Sequence, residues 1–251
     1  MLGLIVQLAL SWLIVWAVEK RNLSVLGFRP TKKRLLGFLV FFVITAFFCS
    51  SSFLMKMYAG KQEWCVNPNL SASLILEGLR WNIVSVLFEE LIFRGVLLYI
   101  LIKRLGASKG IIISAIAFGI YHWFSFGILG NVTQMIIVFL ITGTMGLLLA
   151  YAYAKTFSLY IPIGIHFGWN LTQMFIFSSG PIGNGIFVPV TGSSFKTNSY
   201  LIFFAVTFLP MIVMLMVNYF LLRRRFSTPS SSSPSPKLSP GSEASQLPVL
   251  N

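Results

Sequence analysis

Two histidines, His122 and His166, are the only imidazoles in 251 residues, and the chain has no aspartate. Of its six glutamates only Glu89 and Glu90 are adjacent. These groups sit in apolar strings: Phe88-Glu89-Glu90-Leu91-Ile92-Phe93-Arg94-Gly95, Phe118-Gly119-Ile120-Tyr121-His122 and His166-Phe167-Gly168-Trp169-Asn170. A carboxylate brought near two imidazoles, shielded from bulk water, has the makings of a water-activating site. Helical spacing sorts the groups. Glu90 and Arg94 are four apart with Glu first, the favourable order for an ion pair. Glu89 lies about 100° further round the helix, so Arg94 can satisfy Glu90 and leave Glu89 pointing elsewhere. His166 and Asn170 share a face, with Gln173 one turn on. Taken singly, each group has a structural reading: a buried ion pair, an interhelical donor, a packing amide. Together they lie at a common depth in apolar segments, where an ionisable side chain is costly and marks function by default.

The elements that position them are membrane helices. Hydrophobic residues make up 56% of the chain, charged residues only 10%, and the mean hydropathy is +0.83. A soluble domain carries about 25% charged residues, so this inventory cannot build a water-exposed surface. The expected fold is all-α, a polytopic transmembrane helix bundle of about seven membrane helices. The apolar runs are 1–18, 35–54, 71–102, 110–126, 132–154, 158–177 and 200–222. The first is read as a retained helix, since it lacks a basic leader region and a small-residue cleavage site. Lys56 and Lys61 fall in a polar loop after the second run. The third run, with Ser71 or Ser73 as its N-cap, could continue as one helix to Ile102; that is about 45 Å, longer than the hydrocarbon core. Gly143 and Gly146 offer close helix contact. The chain divides into N-terminal helices and loops (1–70), a catalytic helical core (71–178), a loop and last membrane helix (179–226), and a Ser/Pro-rich tail read as disordered (227–251).

The net charge of +13 does not imply a nucleic acid, because the lysines and arginines flank apolar runs and leave no basic stripe interleaved with aromatics. Fourteen of them follow the first, third, fifth and seventh runs, against Lys56, Lys61 and Lys196 on the other side. The positive-inside rule then places the N-terminus outside and the tail in the cytoplasm, in the plasma (inner) membrane. Neither Cys49 nor Cys65 belongs to a CxxC pair, so no disulfide framework or zinc knuckle is suggested.

In order, the three strings fit EExxxR, FxxxH and HxxxN. They resemble the CPBP family, the CAAX-protease and bacteriocin-processing (Abi) intramembrane proteases, whose best-known branch is the type II CAAX prenyl endopeptidase. The resemblance covers roughly residues 73–177. It implies a glutamate-dependent endopeptidase in which Glu89 and His122 activate a water, His166 and Asn170 stabilise the oxyanion, and Glu90, Arg94 and Phe118 support the site. The substrate would be a membrane-anchored protein or peptide in the lipid bilayer. No cofactor is expected. Zinc held by Glu89, His122 and His166 is the second choice, because the spacing is not that of a zinc-binding HExxH helix. The competing functions are an inactive scaffold or regulator of the same family, and a proton-coupled transporter, for which no internal repeat speaks.

Overall fold

Eight helices follow one another among the residues described by the computed structural model, 2–178 and 185–226. They are α1 (Leu2–Glu19), α2 (Lys32–Gly60), α3 (Ala72–Phe93), α4 (Val96–Leu105), α5 (Ala107–Ser125), α6 (Val132–Thr156), α7 (Tyr160–Asn170) and α8 (Tyr200–Arg225). A 3-10 turn at Leu23–Leu26 lies between α1 and α2, and a π-helical turn at Leu171–Ile176 continues α7. Five helices, α1, α2, α5, α6 and α8, are long and apolar enough to cross a membrane. Their outer faces carry large apolar side chains such as Leu13, Phe47 and Phe204, each more than half exposed. In a bilayer these faces meet lipid. The chain is a helical membrane protein. The Ser/Pro-rich tail, 227–251, lies outside the described residues.

The third apolar run is not one helix. It breaks at Arg94-Gly95, where Arg94 ends α3 at φ −119° and ψ 0° and Gly95 turns to φ −80°, ψ −132°. A Cβ on Gly95 would collide with the Leu91 carbonyl. The break removes the excess length, since the 22 residues of α3 span about 33 Å. α3 also carries Glu77, Arg80, Glu89 and Glu90, which lowers its hydropathy. A second difference concerns α2. It is capped by the Thr31 hydroxyl, which accepts the Arg34 N–H at 3.2 Å, and it runs on to Gly60, so Lys56 is helical. A third is a short antiparallel ribbon that an all-α reading does not contain: Trp64–Val66 pairs with Phe187–Pro189, Trp64 opposite Pro189 and Val66 opposite Phe187.

Close packing fixes α7 against α2. A Cβ on Gly164 would stand 2.6 Å from the Phe38 carbonyl oxygen, and one on Gly168 2.6 Å from that of Phe42. Gly164 and Gly168 thus form a small-xxx-small seam that lets two backbones touch, a common means of helix association where hydrophobic burial gives no drive. Gly146 plays the same part between α6 and α5, against Ala115 and Phe118.

The cationic segments gather at one end of the bundle. Lys103 at the end of α4 pairs with Glu19 at the end of α1 at 2.7 Å. The ammonium of Lys33 at the start of α2 stands over the ring of Phe226, just past α8. The Tyr160 hydroxyl, at the start of α7, donates to the Phe28 carbonyl. The β-ribbon and the C-terminal end of α2 lie at the opposite end.

Candidate active site

Three helices carry the charged and imidazole groups into one cavity of about 720 Å³. Trp81, Ser85 and Glu89 recur every four residues on one face of α3 and line it. His122 enters from the last turn of α5 and His166 and Asn170 from α7. All are nearly buried: Glu89 is 9% exposed, His122 8%, His166 4% and Asn170 8%. Such burial keeps bulk water from competing for their lone pairs. The π-helical turn begins directly after Asn170; its i→i+5 bond, Phe177 N–H to the Thr172 carbonyl, is 3.0 Å. Gln173 and Met174 of that turn line the cavity as well, and π-turns recur at functional sites.

The contacts define the imidazole tautomers. His122 Nδ1 lies 2.7 Å from the Phe118 carbonyl oxygen, which can only accept, so Nδ1 carries the proton and Nε2 of the neutral ring has a lone pair. His166 Nδ1 lies 2.7 Å from Glu90 Oε1, which gives the same assignment. Both Nε2 atoms face Glu89, whose Oε2 is 3.8 Å from that of His122 and 3.7 Å from that of His166. These separations are too long for direct hydrogen bonds and leave Oε2 without a partner. The other oxygen, Oε1, accepts from the Ser85 hydroxyl at 3.5 Å. Asn170 Nδ2 donates to His166 Nε2 at 3.2 Å.

Behind this row, Glu90 and Arg94 are fully buried. Arg94 Nη1 stands 3.3 Å from Glu90 Oε1, and its guanidinium lies 4.0 Å from the centre of the Phe118 ring, a cation–π contact. Phe118 also sets its ring edge-on to both histidines, at 4.5 Å from His122 and 5.8 Å from His166. Sequence reasoning paired Glu90 with Arg94 alone; the bond to His166 needs the fold. From α1, Gln7 Nε2 donates to the Phe88 carbonyl at 2.9 Å, one residue before Glu89. A side cavity of about 260 Å³ between α3 and α5 shares Trp81, Ser85, Glu89 and Tyr121 with the main one and is flanked by Arg80.

An amide N–H of Asn170 occupies the His166 lone pair that a metal would need, and among the described residues no group of three His, Cys, Asp or Glu is set to hold an ion.

Sequence reasoning missed Lys56, which it placed in a loop and which lines the cavity, and Ser85 and Tyr121. The four-residue spacing of Trp81, Ser85 and Glu89 was the signal available for Ser85.

Residues 71–172 match the family model described as Type II CAAX prenyl endopeptidase Rce1-like. The match spans all three strings, from Glu89 to Asn170. This segment of the helical core, about two fifths of the chain, is thus similar to the CAAX-protease family of membrane proteases. No curated protein and no solved structure matches the chain.

Proposed function

We propose that the protein is an intramembrane endopeptidase that hydrolyses a peptide bond of a membrane-associated protein or peptide with a water activated by Glu89 and His122. The observation that carries this reading is one buried cavity in which Glu89 Oε2 faces the Nε2 atoms of two histidines. A water seated between Glu89 and His122 donates one hydrogen to Oε2 and the other to Nε2, and its lone pair is free for a carbonyl carbon. As the O–C bond forms, the proton on the Glu89 side passes to the carboxylate, which acts as general base, and the carbonyl electron pair becomes an oxyanion. Asn170 has a second amide hydrogen to offer that oxyanion. His166 stands beside it, its Nδ1–H held by Glu90 and its Nε2 bonded to the Asn170 amide. The C–N bond then breaks, and Glu89 returns its proton to the departing amine.

The test compares the chain ends of membrane proteins from cells carrying the wild type or Glu89→Gln. New termini that depend on Glu89 are the expected result. Identical termini in both membranes would overturn the reading and favour a scaffold.

A further inference from the structure

Glu89 is reached from two sides. It lines the main cavity and also the side cavity of about 260 Å³ between α3 and α5, and Trp81, Ser85 and Tyr121 are walls of both. Arg80, Val84 and Phe88 line the side cavity and not the main one. They recur every four residues along α3, each one position before Trp81, Ser85 and Glu89. The side cavity therefore follows the helix from Arg80 to Glu89, about 13 Å at 1.5 Å per residue. Arg80, at its outer end, is exposed.

The lining fits water. No described carboxylate comes within ion-pair distance of Arg80; the ion pairs of the described residues engage Arg94, Lys103 and the two histidines. An arginine without a counter-ion on a helix of a membrane bundle characteristically faces a water-filled space. Further in, the Ser85 hydroxyl donates to Glu89 Oε1 at 3.5 Å and keeps lone pairs for the hydrogens of a water. Tyr121 is held in place between Phe93 at 5.3 Å and His122 at 5.5 Å. A lipid chain in the same space would strip Arg80 and Glu89 of solvent and return no hydrogen bond. The volume of about 260 Å³ has room for roughly eight waters at about 30 Å³ each.

Hydrolysis consumes one water for each bond cut. A peptide laid across Glu89 and Asn170 occupies the main cavity and displaces the water there, since a pocket buries most of its ligand's surface. A second approach to Glu89 supplies the nucleophile while the peptide stays in place. We propose that the side cavity is the water intake of the site: water enters beside Arg80, passes Val84 and Phe88, and reaches Glu89 by way of the Ser85 hydroxyl. This rests on the endopeptidase reading for its consequence, and the passage itself is tested by a labelling reaction that needs no cleavage.

The experiment uses the full chain with Cys49→Ala and Cys65→Ser in phospholipid vesicles, carrying either Val84→Cys or Ile83→Cys. Ile83 is the adjacent residue of α3, 44% exposed and outside both cavities. The probe is a small anionic methanethiosulfonate supplied to both faces. It reacts with the thiolate, which forms in water and is suppressed in apolar surroundings. The expected result is labelling at position 84 at least about tenfold faster than at position 83, a tenfold difference in thiolate fraction. The adduct is a disulfide that a reductant removes. With a synthetic peptide spanning a Glu89-dependent cleavage, the sulfonate adduct at position 84 should lower kcat about tenfold and leave KM within about twofold, because it withholds the water and not the peptide. Dithiothreitol should restore the rate, and the smaller methyl adduct at the same position should leave kcat near that of the unlabelled protein. Equal labelling at the two positions, an undiminished kcat with the sulfonate adduct in place, or the same loss from both adducts would overturn the proposal. Fast labelling at position 84 in a chain whose Glu89-containing form cleaves no peptide would sink the endopeptidase reading and leave the passage standing.

Discussion

His166 Nδ1 lies 2.7 Å from Glu90 Oε1, and Arg94 Nη1 approaches the same oxygen at 3.3 Å. One fully buried carboxylate therefore serves two partners on two elements, and it ties α3 to α7 directly behind Glu89. The adjacent glutamates divide the work: Glu90 faces the interior and holds the scaffold, and Glu89 faces the cavity.

Glu90→Gln tests that tie. The amide oxygen can still accept from His166, but the fully buried Arg94 loses its counter-ion. Breaking a buried pair by removing one partner costs roughly 3–5 kcal/mol. Thermal unfolding in detergent should show a lower midpoint, together with a lower cleavage rate per folded molecule. An unchanged midpoint would show that Glu90 does not hold the two helices.

Glu89→Gln should behave differently. The substitution is isosteric, and Oε2 has no bonded partner to lose, so the melting midpoint should stay near that of the wild type. The cleavage rate should fall by about 10²–10⁴-fold, the usual worth of an acid–base group. Full cleavage by a well-folded Glu89→Gln protein would refute the assigned base.

Much of this site was legible because charged groups are rare in the chain. With two histidines and one adjacent glutamate pair, depth and helical spacing alone brought Glu89, His122, His166 and Asn170 forward. The Glu90–Arg94 pair followed from four-residue spacing. The Glu90–His166 bond did not, because it joins residues 76 apart and depends on how α7 rotates against α3. The break at Gly95 was concealed by an unbroken apolar run; the excess length of 71–102 was its one trace. Lys56 was misplaced because a charge at the edge of an apolar run reads as loop, whereas α2 continues another turn to Gly60. The ribbon of Trp64–Val66 and Phe187–Pro189 joins two three-residue strands more than a hundred positions apart, too short for any periodicity to show.

The α2–α7 seam gives a packing prediction. Gly168→Leu would drive a side chain into the Phe42 carbonyl and push α7 outward, carrying His166 and Asn170 from Glu89. Overpacking of this kind costs about 1–3 kcal/mol, so both melting midpoint and cleavage should fall. Gly143→Ala is the control. Its Cβ would stand 3.8 Å from the nearest atom, an ordinary contact, and both readouts should be unchanged. Equal tolerance at the two positions would remove the seam from the account.

The charge distribution gives a topology prediction. The cationic ends of α4, α2 and α8 share one face of the bundle, and the positive-inside rule turns that face to the cytoplasm. Cys65 is exposed in the ribbon at the other end, and Cys49 is buried in α2. A membrane-impermeant thiol reagent added to intact cells should label Cys65 and leave Cys49 untouched, and a reporter fused after Asn251 should be active in the cytoplasm. Labelling of Cys65 only after cell lysis would invert the orientation.

The last prediction concerns metal. Each histidine has its Nδ1–H held by an acceptor, the Phe118 carbonyl or the Glu90 carboxylate. That arrangement suits metal-bound imidazoles as well as proton-transfer ones, so the rings alone do not decide. Two features favour proton transfer. Tetrahedral zinc with bonds of about 2.0–2.1 Å brings its ligand atoms roughly 3.3 Å apart, whereas Glu89 Oε2 stands 3.8 and 3.7 Å from the two Nε2 atoms. The Asn170 amide also points a donor at the His166 lone pair, an orientation that a cation would repel. Activity should therefore survive prolonged treatment with a strong chelator followed by desalting. Asn170→Ala should lower the cleavage rate, because a positioned oxyanion donor goes with the amide, and added zinc should not rescue it. Loss of wild-type activity on chelation, with recovery on adding zinc alone, would assign Glu89 as a metal ligand in place of the general base.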